Sequence, residues 1–144
     1  MKEYTRHEER VRTMNAFYQV FLFLENHEEI DASQILMDQY GVNDISEVPL
    51  FSKALFSLGL DHFDEIVALV SSHLRNWTFE RLDDVAKAIL FVGIADGNYA
   101  HLSPRNVIIN ECIKLAKDYL KAGDHRFINA VLDKSLVKDN TENA

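Results

Sequence analysis

Apolar residues recur at steps of three and four along almost the whole chain, which is the spacing of one buried helix face. The first run shows this clearly, with Val11, Met14, Phe17 and Phe21 on one side. The strict alternation of apolar and polar residues that marks strands is hard to find. The pattern therefore predicts an all-α fold of about seven helices.

Capping residues divide this pattern into separate helices. Asp31 and Gln34 resemble a capping box, and Gly41 fits a C-terminal stop, so together they bound the second helix. Ser103 followed by Pro104 predicts the start of the sixth, because proline at the first helical position loses no needed hydrogen bond. Other boundaries are predicted at Ser46, Asp61, Thr78 and the loop Ala122-Gly123.

Length and composition are those of an ordinary globular domain. The chain has 144 residues, 47% of them hydrophobic, which fits one domain over residues 1–138 with a disordered polar tail at 139–144. The N-terminus is polar, and the most apolar window, 16–24, is too short to cross a bilayer. The one cysteine, Cys112, has no internal partner. These features predict a soluble, cytoplasmic protein.

Chemistry-bearing motifs are scarce. The six histidines show no His-x-x-x-His pair and no cysteine partner spacing, so we expect no metal site. There is no phosphate-cradling glycine loop and no nucleophile elbow. Cys112 lies on an apolar stripe and is predicted to be a buried small hydrophobe. We therefore expect no catalytic residue, no cofactor and no enzyme activity.

Net charge bears on the choice of partners. The formal charge of -8 and the pI of about 5.1 count against a general nucleic-acid binder, which normally carries a basic surplus. Only a locally basic patch on this acidic body would support such a role.

The stretch from 76 to 134 carries a family resemblance. It contains Asn76-Trp77, Glu80-Arg81-Leu82, Val85-Ala86-Lys87-Ala88-Ile89-Leu90, Val107-Ile108-Ile109-Asn110-Glu111, Lys114-Leu115-Ala116-Lys117 and Arg126-Phe127-Ile128-Asn129-Ala130-Val131-Leu132-Asp133-Lys134. These blocks, in this order, resemble the C-terminal half of the NusB family. Ala16-Phe17-Tyr18 fits the end of the arginine-rich first helix of that family more loosely.

The resemblance implies a fold of two small helical bundles and a role in transcription antitermination. Members of the family bind boxA-type RNA of ribosomal RNA leader transcripts, together with the ribosomal protein NusE, in the antitermination complex of RNA polymerase. The expected partners of this chain are accordingly single-stranded boxA-type RNA, NusE and that complex.

The first candidate RNA-binding set lies near the N-terminus. Arg6, Arg10 and His7 lie about one helical turn apart, so their side chains would line one ridge and meet successive phosphates, and Arg12 extends the patch. The alternative is a solvated helix start with ordinary salt bridges, because Glu8 and Glu9 stand among the arginines.

The second candidate set lies near the C-terminus. Lys114, Lys117 and Lys121 fall on one helix face, and Arg126 and Phe127 begin the next helix. Phe127 is either a base-stacking platform or a core anchor of the last helix. Asn129 either reads a base edge or satisfies backbone groups.

A third set is predicted to bind the protein partner. Arg81, Asp84 and Lys87 fall at helix steps of three and should share an exposed face, whose plain alternative is a solvated charged face. Trp77 is predicted to be core rather than contact.

Other readings stay open. Glu8, Glu9 and the acidic charge favour a NusB-fold protein-interaction module with weak or no RNA binding. NusB-like domains also occur fused ahead of RNA methyltransferases, but this chain ends where the expected domain ends. Monomer and homodimer are both compatible with the sequence, because an apolar face left open in the N-terminal bundle would allow dimerisation.

Overall fold

The computed structural model describes residues 2–138 and contains seven α-helices and no strand within that range. The helices are α1 (Arg6–Glu25), α2 (Ala32–Tyr40), α3 (Leu50–Asp61), α4 (Phe63–Ser71), α5 (Asp84–Ile94), α6 (Arg105–Tyr119) and α7 (Asp124–Ser135). Short 3-10 turns cover Ile45–Glu47 and Phe79–Arg81, and a π-helical segment covers Ala95–Ala100. The all-α prediction is confirmed. The expected tail, 139–144, lies outside the described residues.

Several predicted helix ends are confirmed. The Asp31 carboxylate accepts the Gln34 amide at 3.1 Å, and Gly41 ends α2 in the left-handed conformation with φ at 63°. Helix α6 begins one residue later than predicted, with Pro104 at its cap rather than at its first position, and Gly123, also left-handed, directly precedes α7. These residues act through local backbone geometry, so they can be read from the sequence.

Three predicted caps are wrong. Ser46 lies in a 3-10 turn capped by Asp44, and α3 begins only after Pro49. Asp61 closes α3 rather than starting α4. Thr78 precedes a 3-10 turn, and α5 is capped by Asp83, which accepts the Val85 amide at 2.8 Å. Each segment contains more than one residue able to cap, and packing selects among them.

Helix α5 is the centre of the fold. Every residue from Ala86 to Ile94 is buried, because α1, α3, α6 and α7 all pack around this helix. Phe91 is fully buried, and its ring centroid lies 5.0 to 6.1 Å from those of Phe17, Phe21, Phe63 and Phe79. This aromatic cluster joins α1 and α4 to α5.

Two further residues, Cys112 and Gly97, are closely packed by their neighbours. Cys112 is buried as predicted, and burial raises the pKa of its thiol to about 12. Gly97 lies in the π-helical segment, where an added Cβ would come within 2.6 Å of Leu136 Cδ2 and would displace that side chain. None of the helices between residues 2 and 138 combines the length and apolar character needed to cross a membrane.

Candidate nucleic-acid interface

Arg10 is buried and does not lie on an accessible ridge. Its side chain donates to Ser103 Oγ at 3.0 Å and stacks over Phe51, with 5.3 Å from guanidinium to ring centroid. Only 4% of the residue is exposed. The prediction of one ridge made by Arg6, His7 and Arg10 is therefore wrong for Arg10. Helical spacing placed it on a common side, but α3 and the segment before α6 cover that side.

A buried carboxylate organises the segment that receives Arg10. Asp96 Oδ1 accepts the backbone amides of Leu102 and Ser103 at 2.9 and 3.0 Å. This fixes the turn that follows the π-helical segment and presents the Ser103 hydroxyl to Arg10. Arg10 thus ties the start of α1 to the turn before α6.

Arg6 and His7 remain accessible, with 53% and 47% of their side chains exposed. The Arg6 guanidinium lies 4.0 Å from the centroid of Phe51 and 3.7 Å from Glu9. Burial raises the pKa of Glu9 despite the opposing effect of Arg6 and Arg10. The exposed Arg6 therefore pairs only weakly with the Glu9 carboxylate and can bind a phosphate.

Arg12 is partly occupied within the fold. It donates to the Gln39 carbonyl, and its guanidinium lies 4.7 Å and 5.3 Å from the ring centroids of Tyr4 and Tyr40. It also lines a shallow depression of about 290 Å³ together with His7. Arg12 thus forms part of the wall of the depression and is only partly exposed to solvent.

A row of lysines runs along α6 from this N-terminal cluster. His7 Nδ1 lies 3.6 Å from Glu111 of α6, and Lys114 pairs with the same carboxylate at 3.2 Å. Burial raises the pKa of Glu111, but Lys114, Arg10 and His7 together bring it below its usual value. Lys114 and Lys117 lie on α6, but Lys121 lies two residues beyond its last residue, so the prediction that all three share one helix face is wrong for Lys121. All three residues are exposed, and we call them together the lysine row of α6.

At the far end of this row lies a groove that we call the Trp77 groove. It has a volume of about 460 Å³ and is lined by Arg75, Trp77, Leu82, Asp83, Ala86, Leu120, Asp124 and Phe127. Trp77 is 49% exposed, so its predicted place in the core is wrong. The Arg81 guanidinium lies 4.8 Å from the Trp77 indole, and Phe127 is half-buried. Arg126 and Asn129 are exposed on α7.

The two predicted RNA-binding sets, at the N-terminal and C-terminal ends of the chain, therefore lie at separate places on the surface. Helix α6 runs between them, because His7 lies beside Glu111 on this helix and Leu120, which directly follows its last residue, lines the Trp77 groove.

The expectation that Arg81, Asp84 and Lys87 share an exposed face is wrong. Arg81 lies in a 3-10 turn before α5 begins, and Lys87 is only 4% exposed. The Lys87 ammonium donates to Asp84 at 3.0 Å and to the Glu80 carbonyl at 3.2 Å. Because α5 is covered on all sides, it has no solvated face on which such a triplet can lie.

An acidic rim near Lys87 was missed by the sequence analysis. Phe21, Phe63 and Phe79 line a pocket of about 360 Å³, with Glu25, Asp64 and Glu80 at its edge. A hydrogen bond to the Asp84 carboxylate, which favours protonated Glu25, raises the pKa of Glu25 together with burial, and Lys87 opposes this shift. The three acids come from three separate segments, so no spacing in the sequence groups them. Neither these acids nor any other three His, Cys, Asp or Glu side chains within residues 2–138 are arranged to hold a metal.

Comparison with known sequences matches this chain to a single family. Residues 7–136 match the sequence model of the NusB family. A transcription antitermination protein NusB from Helicobacter pylori is 40% identical over 92 residues, which cover 64% of this chain and 65% of that relative, a little under two thirds of its length. Another, from Halalkalibacterium halodurans, is 32% identical over 127 residues, covering 88% of this chain and 90% of the relative.

Solved structures show the same fold. T. maritima NusB aligns with a TM-score of 0.76 at 23% identity, covering 92% of this chain and 90% of that one. A chain in the crystal structure of antitermination factors NusB and NusE in complex with dsRNA aligns with a TM-score of 0.71 at 18% identity, covering 89% and 92%. At these identities the likeness concerns the fold alone.

Proposed function

The chain belongs to the NusB family, and we propose that it is a cytoplasmic transcription antitermination factor. It binds boxA-type RNA of ribosomal RNA leader transcripts together with the NusE ribosomal protein. It carries out no chemical step; its role is to assemble a ribonucleoprotein within the antitermination complex of RNA polymerase. The names of its relatives and the distribution of exposed cations support this role.

The observation that carries the proposal is the lysine row of α6. On a protein of net charge -8, the exposed Lys114, Lys117 and Lys121 connect the accessible Arg6 and His7 to the Trp77 groove. A single-stranded RNA laid along this row would meet cations at its phosphates. Arg126 and Asn129 lie at the α7 end of this path, where they can contact phosphates or base edges.

The Trp77 groove offers aromatic surfaces that can bind unpaired bases. Trp77 is exposed and braced by Arg81, and Phe127 forms part of the same groove. Single-stranded RNA is bound by stacking bases on such aromatic and guanidinium surfaces. The buried Arg10 acts in this scheme as a positioning residue that anchors α1, while Arg12 contributes the exposed edge of its guanidinium.

We assign NusE binding to the acidic rim formed by Glu25, Asp64 and Glu80. A ribosomal protein, whose RNA contacts call for basic surface, is complementary in charge to Glu25, Asp64 and Glu80. Asp84, which keeps 15% of its side chain exposed, lies at the border of this rim, and Lys87 supports it from within.

Replacing Lys117 and Lys121 with alanine is expected to lower RNA affinity and its salt dependence together. Each phosphate contact contributes about 0.7 to the slope of log K against log salt for a single strand, so the double variant should lose about 1.4. Titration of boxA-type RNA at several salt concentrations, with and without NusE, measures both quantities.

Lys53→Ala is the control for this experiment, because Lys53 lies on α3 away from the row. The RNA path is wrong if the double variant keeps the wild-type slope. Binding of NusE without any measurable RNA binding would favour the second candidate, a protein-interaction module. The burial of Arg10 is the observation that favours that candidate, because it removes one expected phosphate contact.

Charge reversal at the acidic rim should weaken NusE binding. Asp64→Lys with Glu80→Lys replaces two attractive contacts with repulsive ones, and we expect a loss of at least about tenfold in affinity. Calorimetric titration without RNA measures it. The charge-matched control is Asp38→Lys with Glu47→Lys, on exposed residues of other segments. If both double variants bind NusE equally well, the rim is not the docking surface.

A further inference from the structure

Two asparagines extend the polar face of α6 beyond its lysines. Four exposed residues follow one another on this face at steps of three and four: Asn106, Asn110, Lys114 and Lys117. At about 100° per residue they fall within an arc of about 80° and span about 17 Å of the helix axis. The face therefore has a neutral half that carries amides, toward the start of α6, and a cationic half toward its end.

The stability of α6 does not explain these asparagines. Asparagine is among the weaker helix formers, because its side chain competes for backbone groups, and Asn110 lies in the interior of a helix of 15 residues. Neither Asn106 nor Asn110 forms a side-chain hydrogen bond with any residue in the range 2–138. Each carboxamide therefore presents its donor and its acceptor to solvent, and a local cost of this kind is typical of functional positions.

The charges around this face favour RNA as its occupant. The two acids of α6, Glu111 and Asp118, project at least about 40° outside the arc. The Glu111 carboxylate is also already paired with His7 and Lys114. A polyanion can therefore follow the whole face without meeting an unpaired carboxylate of α6. His7 brings the N-terminal cluster to the border of the same face, because it contacts Glu111.

We propose that Asn106 and Asn110 read unpaired bases of the RNA whose phosphates are bound by Lys114 and Lys117. A carboxamide donates and accepts hydrogen bonds at once, so it can pair with the edge of an unpaired base. An ammonium group contacts the phosphates of any sequence. The lysine half of the face thus supplies affinity, and the asparagine half supplies selectivity. This inference rests on the proposed RNA role and deepens it.

Asn106→Ala and Asn110→Ala, singly and together, test this inference in the full chain. The titrations use boxA-type RNA and a scrambled RNA of the same length and composition, at two salt concentrations and with NusE present. We expect the double variant to bind boxA-type RNA about tenfold or more weakly and to bind the scrambled RNA as wild type does. The salt slope should keep its wild-type value, because no phosphate contact is lost.

Asn43→Ala is the matched control, because Asn43 is an exposed asparagine outside α6, and it should leave both affinities unchanged. In urea denaturation, Asn110→Ala should unfold at the same or a higher midpoint than wild type, because alanine is the better helix former.

Two results would overturn the inference alone. In the first, the double variant discriminates between the two RNAs as wild type does. In the second, Asn110→Ala lowers the unfolding midpoint and weakens binding of both RNAs equally, which would make Asn110 a structural residue. In both cases, binding that still depends on Lys117 and Lys121 would leave the proposed function standing. A wild type that binds neither RNA would overturn the proposed function together with this inference.

Discussion

Phe91→Ala destabilises the protein by about 3–5 kcal/mol, the range expected for emptying a fully buried aromatic site. Phe91 lies on the central helix, and four other aromatic rings contact it. Truncation removes those contacts and leaves a cavity between α1, α4 and α5. A domain of this size has only about 5–15 kcal/mol of stability, so the loss should be plain in urea denaturation.

Phe91→Leu and Leu24→Ala provide the comparison. The leucine variant keeps most of the buried volume and should lose much less, and Leu24→Ala alters a side chain that is already 45% exposed. A loss below about 1 kcal/mol for Phe91→Ala would mean that the aromatic cluster does not hold α1 and α4 to the centre.

Trp77→Ala combined with Phe127→Ala should produce the largest loss of RNA affinity. Stacking contributes about 1–3 kcal/mol per base, so each truncation should weaken binding by about 5-fold to 150-fold. Unlike the lysine variants, this pair should leave the salt slope unchanged, because no phosphate contact is removed. Fluorescence titration with boxA-type RNA at two salt concentrations separates the two effects.

Trp77→Phe, which keeps a stacking surface, should retain most of the affinity. The half-buried Phe127 needs a separate check, because its alternative role is to anchor the last helix. If Phe127→Ala lowers the free energy of unfolding and leaves RNA affinity unchanged, the core-anchor role is correct and Trp77 alone forms the platform.

The elements that the sequence predicts well are those set by local geometry. The α2 cap, the glycine that ends α2 and the proline before α6 depend on a few adjacent residues. The heptad-like spacing of apolar residues likewise suffices for an all-α fold, because each helix must bury one side. The cap of α5 was mispredicted because Thr78 and Asp83 both qualify and only the intervening 3-10 turn decides between them.

The site was predictable only in part, because exposure depends on what packs against a helix. Arg10 and Lys87 both look like surface cations from their spacing, yet each is covered by a segment distant in sequence. Trp77 shows the opposite case, since it is 49% exposed although Phe79, two residues later, is buried in the aromatic cluster. Lys114 and Lys117 were correctly grouped because α6 carries both, whereas Lys121 was wrongly placed on that helix, which ends at Tyr119.

The burial of α5 on every side also limits how binding sites can influence one another. The helices that carry the proposed RNA-binding and NusE-binding surfaces both pack against α5. Neither surface can therefore move without disrupting the core around that helix. Cooperativity between two ligands requires either a second arrangement of the protein or direct contact between the ligands. A scaffold this rigid favours the latter. If RNA and the ribosomal protein strengthen each other's binding here, the coupling arises where the two touch, and the protein serves as a fixed template.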